Sequence, residues 1–410
     1  MVQAISTRAG KYVTQPIGYQ AFIPSPLPPD PPVAVGDEMQ CYLNDAALEL
    51  GRLDGLTVNL PNPDMFLAMY VRKEAVLSSQ IEGTQASLDD LLAFEVTPTQ
   101  RFRSPDTIEV VNYVSAMNHG LTRLNEFPLS LRLLREIHAK LLSQGRGSDR
   151  MPGEFRTSQN WIGATGSPLE EASFVPPPPH EMNIALGDLE RFLHSKIRMP
   201  LLIRCALVHA QFETIHPFLD GNGRIGRLLI TFLLCHAGAL RQPLLYLSYF
   251  FKANRSEYYE RLNRVRFEGD WEGWLAFFLR GVVEVAQQAA ETAKNILALR
   301  GNHEALVTAT RPRAAANAMR LLNVLFGQPY VTAAYVSHHL EVSPPTANAL
   351  LHSFEACGIL SEITNQSWGK VYCYRSYMDV LRTGTELTPR ESVPQTPLPQ
   401  RTLKTPAESD

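Results

Sequence analysis

The sequence has little net charge, few cysteines and no long apolar run, and each of these narrows the class of protein. A net charge of −3 provides no basic field that would attract nucleic acid or an anionic membrane. The five cysteines are scattered and none forms a C-x-x-C pair, which indicates reduced thiols that mostly fill the core. No stretch approaches the roughly 18 apolar residues that a membrane span requires, and residues 1–15 contain no apolar signal segment. We therefore predict a cytoplasmic protein with no membrane contact.

Helical patterning occupies most of the chain, which predicts an all-α fold class. Apolar residues recur at helical spacing in 64–83, 87–95, 107–122, 130–143, 179–195, 200–215, 223–233, 254–266, 271–278 and 284–299. We predict five segments: a proline-rich arm (1–35) that lies extended on the surface without forming an element, an N-terminal helical extension (36–125), a helical core (126–310), a winged helix-turn-helix (311–380) and a disordered tail (381–410).

The predicted winged helix-turn-helix rests on residues 313–378, which read as three helices followed by two short strands around the turn NQSWGK. Between Arg320 and Lys370 there is no lysine or arginine, so its recognition helix would offer no cation to DNA phosphates. We therefore predict a packing or protein-interaction module and expect no DNA binding.

The stretch from His216 to Arg227, HPFLDGNGRIGR, joins two predicted helices and has the residue types of an anion site. The second helix should begin near Gly223, where unpaired N–H groups and the positive end of the helix dipole favour negative charge. Gly221 and Gly223 have no Cβ, so an anion could approach the backbone closely. This turn therefore predicts a phosphate site.

Five side chains around that turn add the chemistry of group transfer. Asn222 has an amide that donates, and Arg224 and Arg227, three apart on one helix face, each match phosphate oxygens with a planar fork. Asp220 offers the hard oxygen that Mg²⁺ prefers. His216 lies at the other edge of the turn and is able to take a proton from a hydroxyl. Together they predict phosphoryl or nucleotidyl transfer driven mainly by electrostatic stabilisation.

All eight fixed positions of the Fic signature, H-x-F-x-[D/E]-G-N-G-R-x-x-R, are matched in this stretch, so the chain resembles the Fic family. The resemblance implies a Fic helical core and a transferase that moves AMP from ATP, with Mg²⁺, onto a Ser, Thr or Tyr hydroxyl of a target protein or of itself. It implies that His216 is the base, that Asp220 holds the metal and that Phe218 anchors the turn in the core. The residues that it assigns to the nucleotide are Glu82, His216, Gly221, Asn222, Gly223, Arg224, Ile225, Gly226, Arg227, Tyr258 and Tyr259.

The segment SSQIEG, from Ser78 to Gly83, ends a predicted helix with an acidic residue. A negative charge at a helix C-terminus is disfavoured by the dipole and should seek a cation. The segment resembles the inhibitory motif [S/T]-x-x-x-E-[G/N] of Fic proteins, which implies that Glu82 pairs with Arg227 and keeps it from the γ-phosphate. The alternative is a solvated helix end with Gly83 as its cap.

Two further segments resemble parts of Fic proteins. Residues 157–179 contain the short runs WIG and SFV around glycines and a proline, which predicts a β-hairpin flap; Phe174 and Val175 would then bind the target backbone by strand addition. Tyr259, with Tyr258 beside it, would contact ATP by stacking. The alternatives are ordinary hairpin packing and a core tyrosine pair.

Other functions stay open at this point. A Fic enzyme could use another nucleotide or remove AMP, and a chain with a winged helix could be a nucleotide-sensing transcriptional regulator. The resemblance also implies a possible homodimer.

Overall fold

The structure is a computed structural model that describes residues 8–16, 18–57, 63–97, 104–163, 166, 168–310 and 315–387. Its helices are α1 Asp37–Thr57, α2 Pro63–Ile81, α3 Leu88–Val96, α4 Pro105–Leu124, α5 Leu131–Leu141, α6 Pro179–Leu193, α7 Leu201–Ile215, α8 Asn222–His236, α9 Ser248–Ala253, α10 Arg255–Glu268, α11 Trp271–Thr310, α12 Ala315–Gly327, α13 Ala333–Leu340, α14 Pro344–Ala356 and α15 Arg375–Arg382. The strands are β1 Gly10–Thr14, β2 Gln20–Pro24, β3 Tyr330–Thr332, β4 Ser361–Glu362 and β5 Val371–Cys373. The prediction of a mainly helical fold is confirmed.

Helices α7 and α8 form the centre, and both are buried on nearly every face. They pack against each other and are enclosed by α2, α4, α5, α6, α10 and α11. Apolar residues all around α7 are what such a central position requires. One continuous cluster of buried side chains extends from Ala9 in the N-terminal segment to Leu381 in α15.

The helix ends follow the local sequence. The Ser87 hydroxyl accepts a hydrogen bond from the backbone N–H of Asp90 at 3.1 Å, and the Asp90 carboxylate accepts one from the backbone N–H of Ser87 at 3.0 Å. This capping box confirms the predicted start of α3. Gly83, which follows α2, has a φ of 91°, a conformation that glycine adopts without strain.

Helix α11 differs from the prediction, which had separate helices at 271–278 and 284–299. It runs unbroken from Trp271 to Thr310. Gly281, a weak helix former, interrupts the pattern in the sequence, but a Cβ there would lie 2.6 Å from the ring of Phe250. Close packing against α9 therefore explains a glycine inside the helix.

The N-terminal arm also differs from its prediction. Strands β1 and β2 form an antiparallel hairpin in which Lys11 faces Ile23 and Val13 faces Ala21. Phe22 is fully buried, and its N–H donates to the carbonyl of Val175 at 2.9 Å. The expectation of an arm without regular structure was therefore wrong for residues 10–14 and 20–24, because Phe22 belongs to the core and Tyr12 packs against it.

The predicted flap hairpin is reduced to one bridge between Ile162 and Phe174, with a 3-10 turn at Leu169–Glu171. Residues 164, 165 and 167 lie outside the described residues. Among the residues described in this segment, the single bridge keeps the two runs side by side without an extended strand pair.

The C-terminal segment contains α12, α13 and α14 and an antiparallel sheet in the order β3-β5-β4, followed by α15. These are the element types that the sequence predicts there, with one extra strand and one extra helix; the name winged helix stays a prediction. The predicted disordered tail begins too early, because Leu381 and Thr385 are buried; residues 388–410 lie outside the described part. Within the described ranges, none of the helices combines the length and apolar character of a membrane span.

Candidate active site

The signature turn connects the end of α7 to the start of α8 in a closed loop. His216 caps α7 in a left-handed conformation with a φ of 50°. Asn222 closes the loop, because its Oδ1 accepts from the N–H of Phe218 and its Nδ2 donates to the carbonyl of Phe218, both at 2.8 Å. The predicted role of Asn222 as a phosphate donor therefore differs from its observed one: the amide holds the turn. Gly221, with a φ of 77°, caps α8.

The N-terminal turn of α8 is an anion site that a carboxylate already approaches. Backbone N–H groups at the start of a helix have no partner within the helix and point outward along its axis. A Cβ on Gly223 would lie only 2.2 Å from Oε1 of Glu82, so the carboxylate rests directly against this glycine. The sequence predicts a phosphate site at this position, and in the structure the Glu82 carboxylate lies there.

Arg227 holds that carboxylate and the end of α2 together. Its Nη2 donates to Glu82 Oε1 at 2.6 Å and to the carbonyl of Ser78 at 2.9 Å, and its Nε donates to Ser78 Oγ at 2.8 Å. The arginine side chain is 2% exposed and that of Glu82 is 31% exposed. Burial alone would raise the pKa of Glu82, but the charge and hydrogen bond of Arg227 hold that pKa below its usual value. The predicted pairing of the two residues is thus present as a contact.

Arg224 points to a different acid from Arg227, although both were expected to grip phosphates. Its Nη2 lies 3.3 Å from Asp220 Oδ1, and its Nη1 lies 3.6 Å from Oε2 of the buried Glu109. Nε and Nη1 of Arg224 are buried and have no hydrogen-bond partner within the described chain. This arginine therefore carries donors that a phosphate could still use.

Asp220 could hold Mg²⁺ as a single carboxylate ligand, provided that a nucleotide supplies the other ligands. Its side chain is 34% exposed, and Oδ1 accepts from the N–H of Gly221 at 2.5 Å. Across the described ranges, no group of three or more metal-ligating side chains comes together. A single carboxylate suffices where substrate phosphates and water complete the shell of Mg²⁺, so Asp220 is the residue that would hold the ion.

His216 is held neutral by its surroundings. Burial, together with the positive charges of Arg266 and Arg156, lowers the pKa of His216 to about 3. A neutral imidazole is the form that accepts a proton. Its Nδ1 is buried and has no hydrogen-bond partner among the described residues, and the role of His216 as the base stays a prediction.

Arg156 was missed by the sequence analysis and is the main support of His216. It is 1% exposed, its Nε donates to the carbonyl of His216 at 3.0 Å, and its Nη2 donates to the carbonyl of Pro177 in the flap. Its backbone N–H donates to the carbonyl of Pro217 at 3.0 Å. One buried cation thus fixes the backbone of the turn against the flap. The residues around Arg156 in the sequence, GEFRTS, contain no pattern that would predict its contact with His216.

His138 was also missed by the sequence analysis, and it supports the backbone of Asp220. Its Nε2 donates to the carbonyl of Asp220 at 3.0 Å, while its Nδ1 accepts the N–H of Gly153 at 2.8 Å. Its ring stacks on Phe218 with the ring centres 3.8 Å apart, which confirms that Phe218 anchors the turn in the core. Burial lowers the pKa of His138 to about 4, so this histidine is a neutral structural support.

Glu213 is a third residue whose environment the sequence does not reveal. Its Oε1 is buried without a hydrogen-bond partner in the described chain, and a Cβ on Gly226 would lie 2.4 Å from it. Burial, opposed by Arg227 but reinforced by the charge of Glu82, raises the pKa of Glu213 to about 7. Gly226 therefore makes room for a carboxyl, and Ile225 is fully buried; their predicted contacts with the nucleotide stay predictions.

The two tyrosines of α10 have different roles. Tyr258 is 1% exposed and its hydroxyl lies 2.9 Å from Nε2 of His209, whose Nδ1 donates to the carbonyl of Gly226 at 2.9 Å. The predicted nucleotide contact is therefore wrong for Tyr258, which is a core residue. Tyr259 is half-buried, and its ring lies within 5.8 Å of the guanidinium of Arg255. Of the two tyrosines, Tyr259 is the less buried, and its contact with ATP stays a prediction.

Phe174 and Val175 are both buried, at 2% and 8% exposure. The ring of Phe174 packs on Phe22 at 5.8 Å and lies 4.2 Å from the guanidinium carbon of Arg266. The carbonyl of Val175 already accepts from β2. These side chains therefore serve packing, and strand addition at Val175 would compete with the N-terminal hairpin.

The arrangement as a whole brings together a helix N-terminus, a buried arginine and a neutral imidazole. Such a site favours a phosphate chain near Gly223 and Arg227, and a proton acceptor lies at His216. These are the parts that group transfer from a nucleotide requires.

Comparison with known proteins finds two family models that match parts of this chain. Residues 42–122 match the Fic/DOC family N-terminal model and residues 128–234 match the Fic/DOC family model. "Protein adenylyltransferase Fic" of Aedes aegypti is 34% identical over 175 residues, which is 41% of this chain and 31% of that protein. A probable protein adenylyltransferase of Aquifex aeolicus is 26% identical over 181 residues, 43% of this chain and 51% of that protein.

The similarity in structure extends further along the chain. A crystal structure of a Fic family protein from Desulfovibrio desulfuricans superposes with a TM-score of 0.56 at 19% identity and covers 84% of this chain and 97% of that one. This likeness shows the fold. The chain spans about a third of the Aedes aegypti protein and half of the Aquifex aeolicus protein.

Proposed function

We propose that the chain, whose residues 42–122 and 128–234 match the two Fic/DOC family models, is a protein adenylyltransferase that moves AMP from ATP onto a Ser, Thr or Tyr hydroxyl of a target protein. The observation that carries the proposal is the start of α8, where Gly223 and the buried Arg227 form an anion site beside His216. The adenylyltransferase names of the relatives support AMP as the group that is moved.

The proposed reaction uses the groups around this turn. The target hydroxyl oxygen attacks the α-phosphorus of ATP, its proton passes to His216, and pyrophosphate leaves from the same phosphorus. The N–H groups of the first turn of α8 and Arg227 stabilise the charge on the phosphates. Bound Mg²⁺, which Asp220 would hold, supplies further neutralisation of that charge. Arg156 keeps the backbone of His216 in place throughout.

Glu82 gives the proposed enzyme a resting state that blocks its own site. Its carboxylate lies against Gly223 and binds Arg227, so it competes with the phosphates for both. We propose that this contact inhibits the transfer. We also place the reaction in the cytoplasm, where ATP is available; all five cysteines are free thiols.

Incubation with ATP and Mg²⁺, followed by mass spectrometry of the protein, tests the proposal. We expect AMP on the chain itself, more of it in Glu82→Gly and none in His216→Ala. His236→Ala, at the exposed end of α8, is the matched control and should label as the wild type does. Labelling that survives His216→Ala would refute the assigned base. A panel of CTP, GTP and UTP tests the preference for ATP.

A further inference from the structure

The C-terminal module, which we define as residues 315–387, contacts the helical hairpin that carries Glu82. Helices α12 and α15 pack on α2, and β3 packs on α3. Neither the Fic/DOC N-terminal match nor the Fic/DOC match extends into this module. Its contacts with α2 and α3 include hydrogen bonds made by Gln80, Gln328 and Arg382.

The first contact joins α15 to α3. Arg382 donates to Asp89 from Nε at 3.0 Å and from Nη2 at 2.5 Å, and the hydroxyl of Tyr330 donates to the same carboxylate. Paired hydrogen bonds between a guanidinium and a carboxylate fix orientation as well as distance. On the other end of α3, Glu95 accepts from Nε2 of Gln328 at 3.2 Å. Both ends of α3 are thus bound to the module.

The second contact lies at the end of α2 itself. Gln80, two residues before Glu82, donates from Nε2 to the carbonyl of Thr385 at 3.1 Å and to the carbonyl of Ala86 at 3.0 Å. One amide therefore joins the last turn of α2, the loop that follows it and the C-terminal segment. Thr385 is 4% exposed, so its carbonyl is offered from a packed position.

The segment around Thr385 is itself anchored on α9. Nζ of Lys252 donates to the carbonyl of Gly384 at 3.1 Å and to that of Glu386 at 2.5 Å. A Cβ on Gly384 would lie 2.3 Å from the ring of Tyr249, so the backbone packs flat on that ring. The segment is therefore fixed between α9 and the end of α2.

From these contacts we propose that the C-terminal module is a clamp that holds α2 in the position from which Glu82 blocks Arg227. Release of the module from Asp89 and Gln80 frees the end of α2, so that Glu82 leaves the phosphate site. The proposal rests on the proposed inhibition by Glu82. It gives the module a regulatory role within the chain and does not require it to bind DNA.

The test measures hydrogen exchange and self-labelling on the full-length protein. Arg382→Met removes the guanidinium contact, and Gln80→Met removes only the amide at the end of α2. We expect faster backbone exchange at 79–86 and self-labelling raised by about fivefold in each, the scale of losing one hydrogen bond. Arg375→Met, an exposed arginine on the same helix as Arg382, is the control and should change neither. In Glu82→Gly, Arg382→Met should add nothing.

The outcomes separate the two levels of the proposal. Unchanged exchange at 79–86 in both variants would overturn the clamp, whatever the labelling shows. Faster exchange without any rise in labelling, while Glu82→Gly is activated, would also overturn it. If Glu82→Gly shows no labelling at all, the proposed transfer fails, and the exchange data still decide whether the module holds α2. Gln80→Met keeps the test valid if Arg382→Met does not fold.

Discussion

Removal of the Glu82 side chain should convert a closed phosphate site into an open one. In the structure a phosphate chain can reach Gly223 and Arg227 only if the carboxylate moves away from both. The variant Glu82→Gly removes this competitor, and Glu82→Gln keeps its shape and removes its charge. The affinity for ATP should therefore rise in the order wild type, Glu82→Gln, Glu82→Gly.

The size of the effect follows from the two interactions that ATP must replace. A hydrogen bond between charged groups contributes about 1.5–3 kcal/mol, and a negative charge at a helix N-terminus contributes about 0.3–1 kcal/mol. Because the Glu82 side chain is 31% exposed, solvent screening favours the low end, about 2 kcal/mol in total. At about 1.4 kcal/mol per tenfold change, Glu82→Gly should bind ATP about 30-fold more tightly.

Isothermal titration calorimetry with ATP and with adenosine measures this difference. Adenosine has no phosphate, so its affinity should not change between the wild type and the two variants. Glu284→Gln, an exposed glutamate on α11, controls for loss of one negative charge elsewhere. An unchanged ATP affinity in Glu82→Gly, or an equal gain for adenosine, would show that Glu82 does not compete with the phosphates.

Three further predictions concern residues around the site. The free energy of unfolding of the wild type, compared with that of Glu213→Gln, should fall as the pH rises from 4.5 to 7, by up to about 1.4 kcal/mol per pH unit in denaturant titrations. The reason is that the folded protein holds the Glu213 proton in this range and the unfolded chain releases it. A difference that does not change with pH would refute the raised pKa of Glu213. Arg156→Met should slow transfer by about two orders of magnitude with ATP affinity unchanged, since a small displacement of the base suffices; single-turnover rates and calorimetry measure the two effects. Tyr259→Ala should weaken ATP binding by about 1–3 kcal/mol, whereas Tyr258→Phe should retain it and lower the unfolding free energy by about 1 kcal/mol; the reverse result would restore Tyr258 as the ligand contact.

The predictions from sequence that were confirmed concern features that depend on residues close together in the sequence. The capping box at Ser87, the glycine after α2 and the turn between α7 and α8 each depend on residues within a few positions of one another. The signature turn is of this kind, since the start of a helix, two glycines and a flanking histidine are set by spacing alone. The sequence by itself therefore determined the mainly helical fold and the turn from which α8 begins.

Only the tertiary structure decided which side chains reach that site. The contact of Arg227 with Glu82 joins residues 145 positions apart, and Arg156 supports His216 from 60 positions away. Neighbouring tyrosines on α10 differ in burial because Tyr258 contacts His209 in the core and Tyr259 lies near Arg255, a distinction that spacing along a helix does not show without its packing partners. The contact of Gln80 with the carbonyl of Thr385 likewise joins residues 305 positions apart in the sequence. Such contacts depend on how helices pack in three dimensions, because side chains distant in sequence meet only when the whole core has formed.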